Sequence, residues 1–218
     1  MSLLTRAHAE TQDETHTLFG QVMWLMAGEA GLFTLGSYLG RHLSGGFAFV
    51  FFILAFVCLI AMNFTARSQL AGGSTVLLGG VGCFLGLAMA PTISYYAAVN
   101  PRALWQAGGA TALFMLAAGA AGYATRSDLS GVGSFCWWAL LALIIFGVVM
   151  IFVNIPAGAL IYSILGLVIF AGLTMFDFQR LRVSKDMDSA PLIAASIFLD
   201  FLNVFLFFLQ LFSGRSRD

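Results

Sequence analysis

The stretch "MFDFQRLRVSKDMDSAPLIAASIFLDFLN", residues 175–203, joins two long apolar segments through a short polar loop. It carries two carboxylates, Asp177 and Asp200, inside apolar sequence on either side of that loop. An ionisable group within a membrane span costs roughly 2.5–3.5 kcal/mol on insertion scales, so it is a candidate for function. The stretch therefore predicts two neighbouring antiparallel helices that carry an acidic pair.

The composition of the whole chain indicates an integral membrane protein. Of its 218 residues, 60% are hydrophobic and 9% are charged, whereas soluble domains have about 45–50% apolar and about 25% charged residues. Ten basic residues balance ten acidic residues, so the chain has no net charge that would attract nucleic acid. We expect the lipid bilayer as its surroundings and no nucleic-acid partner.

Seven apolar stretches are long enough to cross a membrane as helices, since a crossing takes about 20 residues. They cover residues 17–40, 46–65, 70–97, 103–124, 134–154, 157–180 and 190–212. We predict an all-α bundle of seven transmembrane helices over residues 17–212, with a polar N-terminal tail (1–16) and a short C-terminal tail (213–218). The N-terminal tail is acidic, unlike the basic start of a signal peptide, and we expect it to be retained and exposed.

The basic residues of the loops predict an orientation, because short cytoplasmic loops are enriched in Lys and Arg. With seven crossings, the N terminus shares its side with the second, fourth and sixth loops. That side carries Arg6, Arg67, Arg126, Arg180, Arg182 and Lys185. The opposite side carries Arg41, Arg102, Arg215 and Arg217. Six basic residues against four favour a cytoplasmic N terminus and a C terminus outside.

The acidic pair suggests a site for protons and for calcium. Asp177 lies about one turn inside the end of the sixth helix, and Asp200 lies about ten residues, or roughly 15 Å, into the seventh. If the two carboxylates meet in a dry interior, their charges repel and the pair holds one proton between them. Without that proton, the pair offers oxygen ligands to Ca²⁺, which takes about 6–8 of them. The sequence thus predicts a pH sensor that also binds Ca²⁺ transiently.

Further oxygen ligands lie on the same helical faces. Asn203 and Ser196 share the face of Asp200, and Thr174 shares that of Asp177. The chain has three histidines, and all of them lie in the tail or in a loop: His8, His16 and His42. A site for a soft metal inside the membrane is therefore disfavoured.

Two more charged residues are candidates. Glu29, within "LMAGEAGLF" (25–33), is a third acid in an apolar stretch. Arg67 ends the second helix on the same predicted side as Asp177, and a bidentate pairing of arginine with carboxylate would latch the closed state.

Each candidate also has a plain structural interpretation. Asp177 would be an interfacial residue that pairs within its own turn, and Asp200 would make an interhelical hydrogen bond. Glu29 would be a packing contact beside small residues, and Arg67 an anchor at the cytoplasmic surface.

Two motifs resemble one known family. "MFDFQ" (175–179) followed by "SIFLDFLNVFLFFLQLF" (196–212) resembles the end of the transmembrane Bax inhibitor motif (Bax inhibitor-1-like) family, whose last two helices carry D-x-Q and then LDF-[IVL]-N. "FLGLAMAPTISYY" (84–96) is similar to the third-helix signature of that family.

The resemblance implies a bacterial-type member with seven helices, the last of them central, and a pH-sensitive calcium leak in the inner membrane. In bacterial members two acids form the sensing pair, which corresponds to Asp177 and Asp200 here. The resemblance also implies an arginine at the end of the second helix that latches the pair, and Arg67 is the nearest candidate here.

We therefore predict a pH-sensitive calcium leak channel without a cofactor, and not an enzyme. A retinal protein needs a buried lysine, but the only lysine, Lys185, lies in a loop. Neither aspartate occurs in the GxGD context of intramembrane aspartyl proteases. A Ca²⁺/H⁺ exchanger and a non-conducting regulator that binds another membrane protein remain open alternatives.

Overall fold

The computed structural model describes the backbone of residues 3–43, 45–67, 72–184 and 186–214, and the side chains from residue 17 onward within those ranges, except at 66 and 67. Every regular element in the described ranges is helical. The seven long helices are α1 (Leu3–Leu39), α2 (Gly45–Arg67), α3 (Gly73–Val99), α4 (Pro101–Ala124), α5 (Ser130–Phe152), α6 (Gly158–Val183) and α7 (Ala190–Gly214). Two short 3₁₀ turns, Gly40–His42 and Met187–Ser189, follow α1 and precede α7.

All seven helices are long and apolar enough to cross a membrane, which confirms the predicted all-α fold. The first helix begins at Leu3, although its apolar span begins at Thr17. Hydropathy marks the part of a helix that lipid covers and not the residue at which the helix begins. Apolar length therefore predicted the span of α1 but not its first turns.

Local signals explain where α4 and α5 begin. The side chain of Asn100 accepts a hydrogen bond from the backbone N–H of Ala103 at 3.2 Å, and Pro101 occupies the first helical position of α4. Asp128 accepts a hydrogen bond from the backbone N–H of Ser130 at 2.9 Å. This bond satisfies a free amide at the helix start, so α5 begins at Ser130, earlier than the predicted residue 134.

Residues Met1–Ala98 and Leu181–Phe198 form one compact unit. Within it, α1 and α3 touch through their backbones. A Cβ atom at Gly82 would lie 2.8 Å from the carbonyl oxygen of Glu29, and one at Gly86 would overlap the carbonyl oxygen of Phe33. Helices approach this closely in membranes where small residues replace bulky ones.

Residues Val99–Arg180 and Leu199–Asp218 form the second unit. Here α4 packs on α6, since a Cβ atom at Gly122 would overlap the backbone of Met175. The contact of α6 with α7 contains a partly buried polar pair, in which the hydroxyl of the buried Ser163 donates to Oε1 of Gln210 at 2.7 Å. Glycines and a paired hydroxyl thus bring the helices of this unit together.

The last helix is the most enclosed of the seven spans, as predicted. In its most apolar window 56% of the residues are buried, against 11% to 39% in the other six spans. By contrast, α2 and α5 expose large apolar side chains such as Phe56 and Trp138. An apolar surface of this kind suits contact with lipid chains.

We expect Gly86→Ala to destabilise the protein by about 1–3 kcal/mol, because the new methyl group would meet the backbone of α1 and force the helices apart. The matched control is Gly31→Ala on α1, where an added Cβ meets nothing within 4 Å. Thermal unfolding in detergent measures both variants. Equal melting temperatures for the two variants would contradict the close packing of α1 on α3.

Candidate functional site

The structure brings the two aspartates of the opening stretch together in the second unit. Asp177 on α6 and Asp200 on α7 are each only 5% exposed. The two carboxyl groups are near enough to interact electrostatically. We call Asp177 and Asp200 the aspartate pair.

Thr174 contacts the aspartate pair from the preceding turn of α6. Its side chain is completely buried; its hydroxyl donates to Sδ of Met115 at 3.8 Å and also interacts with the carboxyl group of Asp200. Residues three apart on a helix share a face, so Thr174 and Asp177 both point toward α7. The second oxygen of Asp200, Oδ2, has no hydrogen-bond partner among the described residues. The site therefore contains a buried acceptor atom that is available to a proton or a cation.

Apolar side chains surround the aspartate pair. Cys136 of α5 is near enough to Asp200 to interact with it electrostatically. The same cysteine belongs to a buried cluster with Leu173 and Val204, which lie one residue before Thr174 and four residues after Asp200. Because apolar surroundings screen charge poorly, electrostatic interactions within the pair are strong.

The other predicted ligands lie in different surroundings. The side-chain amide of Asn203 donates to the carbonyl of Leu199 within α7 at 2.8 Å. Ser196 and Glu29 belong to the first unit. Arg67 is the last residue of α2, but its side chain lies outside the described residues, and so does the predicted latch.

The described side chains include no group of three or more His, Cys, Asp or Glu residues that could hold a metal ion. A calcium ion at the aspartate pair would take its other ligands from the Thr174 hydroxyl, backbone carbonyls or water. Ca²⁺ accepts such mixed oxygen shells.

Gln179, which the sequence did not single out, binds the loop between α4 and α5. Its Oε1 accepts the backbone N–H of Leu129 at 2.8 Å. Its Nε2 donates to the carbonyl of Ser127 at 2.6 Å and to that of Thr125 at 3.3 Å. The only signal in the sequence was the amide side chain of Gln179 at the end of an apolar segment, two residues after Asp177. The loop is thus bound to the same end of α6 that carries the aspartate.

Asp128 stabilises the same loop from outside the membrane spans. It accepts hydrogen bonds from the backbone N–H of Ser130 at 2.9 Å and from its hydroxyl at 2.8 Å. These two bonds hold the pKa of Asp128 below its usual value. A charged carboxylate at the first turn of α5 also interacts favourably with the helix dipole.

We expect Gln179→Ala to lower stability, since it removes the partner of a buried N–H and of two carbonyls, at about 1–3 kcal/mol for each group left unsatisfied. Gln179→Glu keeps the acceptor for Leu129 but turns a carboxylate oxygen toward two carbonyl oxygens. Hydrogen exchange at the Leu129 amide should accelerate in both variants. Gln106→Ala, at an exposed position of α4, is the control, and unchanged exchange in the Gln179 variants would refute this role.

These features define a class: a seven-helix membrane protein with an acidic pair buried between its last two helices. The chain belongs to the family described as the inhibitor of apoptosis-promoting Bax1, whose model matches residues 15–217. The match confirms the family resemblance of the two C-terminal motifs.

Several bacterial proteins are similar to this chain. It is 36% identical to a Caulobacter vibrioides protein over 103 residues (43% of this chain, 41% of the relative). It is 39% identical to a Deinococcus radiodurans protein over 106 residues (45% of each). It is also 31% identical to the inner membrane protein YbhL of Escherichia coli over 104 residues (43% of this chain, 44% of the relative). Each match spans less than half of the relative.

Proposed function

We propose that this protein is a pH-sensitive calcium leak channel of a bacterial inner membrane, in which the aspartate pair binds either a proton or the passing ion. The observation that carries the proposal is the burial of Asp177 and Asp200 beside each other between α6 and α7. Family membership and the inner-membrane name of the relative YbhL support the location.

Repulsion within the pair makes it sensitive to protons. Two unit charges about 4 Å apart repel by about 4 kcal/mol at an effective dielectric constant of about 20. One shared proton removes that repulsion, so the pair carries a single negative charge over a wide pH range. A rise in pH removes the shared proton and doubles the charge.

The doubled charge attracts a divalent cation. Asp200 offers an oxygen that has no hydrogen-bond partner in the described part of the chain, and the hydroxyl of Thr174 interacts with the same carboxylate. Because Ca²⁺ and the proton compete for the same oxygens, the occupancy of the pair by Ca²⁺ rises with pH. Transport moves the ion across the membrane without making or breaking a covalent bond, so we propose a channel and not an enzyme.

Competition at one pair is also the basis of the alternative, a Ca²⁺/H⁺ exchanger. An exchanger moves protons against calcium at a fixed ratio, whereas a leak does not. Simultaneous dyes for calcium and pH inside proteoliposomes distinguish the two. If proteoliposomes that contain correctly folded protein show no calcium entry, the result would instead favour a non-conducting regulator that binds another membrane protein.

We expect Asp177→Asn and Asp200→Asn each to shift or abolish the pH dependence of calcium entry into proteoliposomes, because either change removes the repulsion that makes the pair share a proton. Asp188→Asn is the matched control, since Asp188 is exposed in the turn before α7. The measurement is the initial rate of calcium entry over a series of pH values. An unaltered pH response in both variants would remove the pair from the mechanism.

We expect Arg67→Ala to raise calcium entry, because an arginine that pairs with the ionised aspartates would hold the closed state. Arg67→Lys should give an intermediate rate, since lysine keeps the charge without the bidentate geometry. Arg126→Ala is the control, as this exposed arginine lies on the same predicted side of the membrane. A wild-type rate in the alanine variant would exclude the latch.

A further inference from the structure

Glu29 is a buried acid that the proposed leak does not use. It lies in the middle of the apolar part of α1, in the first unit, and is 2% exposed. Neither of its carboxyl oxygens has a hydrogen-bond partner among the described residues. An acid in this position is uncommon, because buried polar side chains are nearly always hydrogen-bonded.

Glu29 lies against the backbone of α3. A Cβ atom at Gly82 of α3 would lie 2.9 Å from Cγ of Glu29, so the acid faces a residue without a side chain. One turn further along α1, Phe33 packs edge-on against Phe198 of α7, with 5.9 Å between the ring centroids. Among the described side chains, none donates a hydrogen bond to this carboxyl group.

Ionisable groups on the adjacent elements do not compensate the acid. Near Gly82, α3 carries Cys83, whose backbone carbonyl faces Gly36, and α2 carries Cys58, which lies against Gly80. Residues 190–198 of α7 include no ionisable side chain. The charged residues before them are Arg182, Asp186 and Asp188 among those described. No described charged group acts on Glu29.

We propose that Glu29 is a proton-binding site in its own right, and that its bound proton holds α1 against α3. A neutral carboxyl group is tolerated in a dry contact, whereas an ionised one without donors is strongly disfavoured. Loss of the proton leaves a negative charge on a buried side chain whose Cγ and backbone lie directly against Gly82 of α3. Hydration of that charge requires the two helices to separate, so α1 and α3 form a second pH-sensitive element.

Isotope labelling tests the protonation state directly. The chain contains three glutamates, Glu10, Glu14 and Glu29. Carbon-13 in the glutamate carboxyl groups shifts their infrared absorption away from that of the aspartates. At neutral pH we expect a labelled band of a protonated carboxyl group, which Glu29→Gln abolishes and Glu14→Gln leaves unchanged. A wild-type protein whose labelled glutamates are all ionised at neutral pH would overturn the proposal, whether or not the Glu29 variant folds.

The pH dependence of unfolding tests the coupling to packing. A folded chain that keeps a proton which the unfolded chain releases loses stability as the pH rises. From about pH 6 to about pH 9 we expect the melting temperature of the wild type to fall further than that of Glu29→Gln. Equal changes in the two proteins would refute the coupling. Neither experiment measures calcium entry. The proposal for Glu29 can therefore fail or hold independently of the proposed calcium leak.

Discussion

The repulsion between two carboxylates in an apolar interior is the constraint on which the site depends. Asp177 and Asp200 are both buried, and a buried cluster that includes Leu173 and Val204 lies on the same helices, α6 and α7. A charge in such a place is tolerated only when a proton, a hydrogen-bond donor or a cation accompanies it. In the proposed leak, the charge of the pair depends on what binds there, and a proton and a cation would compete for the same oxygens.

Glycines allow the close helix packing that keeps the surroundings of the buried acids apolar. In the second unit, Gly122 brings α4 onto the backbone of α6 at Met175, two residues before Asp177. In the first unit, Gly82 does the same for α3 and α1 beside Glu29. Close contact between backbones excludes water. Without water, an ionised carboxyl group is costly unless it binds a proton or pairs with another group. The same packing device thus accompanies acids in both units.

Hydrogen bonds of one side chain connect the site to the membrane surface. Gln179 lies two residues after Asp177 and holds three backbone groups of the loop between α4 and α5. A movement of this end of α6 has to break those bonds or carry the loop with it. The D-x-Q motif therefore combines an acid that faces α7 with an amide that fastens a loop, which is a physical reason for the spacing of its two polar residues.

The sequence by itself determined the seven spans and the presence of acids within them, because apolar length and the cost of burying charge are local properties. It left open whether Asp177 and Asp200 meet, since a shift of one turn at a helix end moves a side chain by about 5.4 Å. Only the tertiary structure decided that the two acids adjoin, that Gln179 reaches a loop some 50 positions earlier in the chain, and that Glu29 faces Gly82. Membrane helices are apolar on nearly every face, so their rotation and register depend on the shapes of the partners that pack against them.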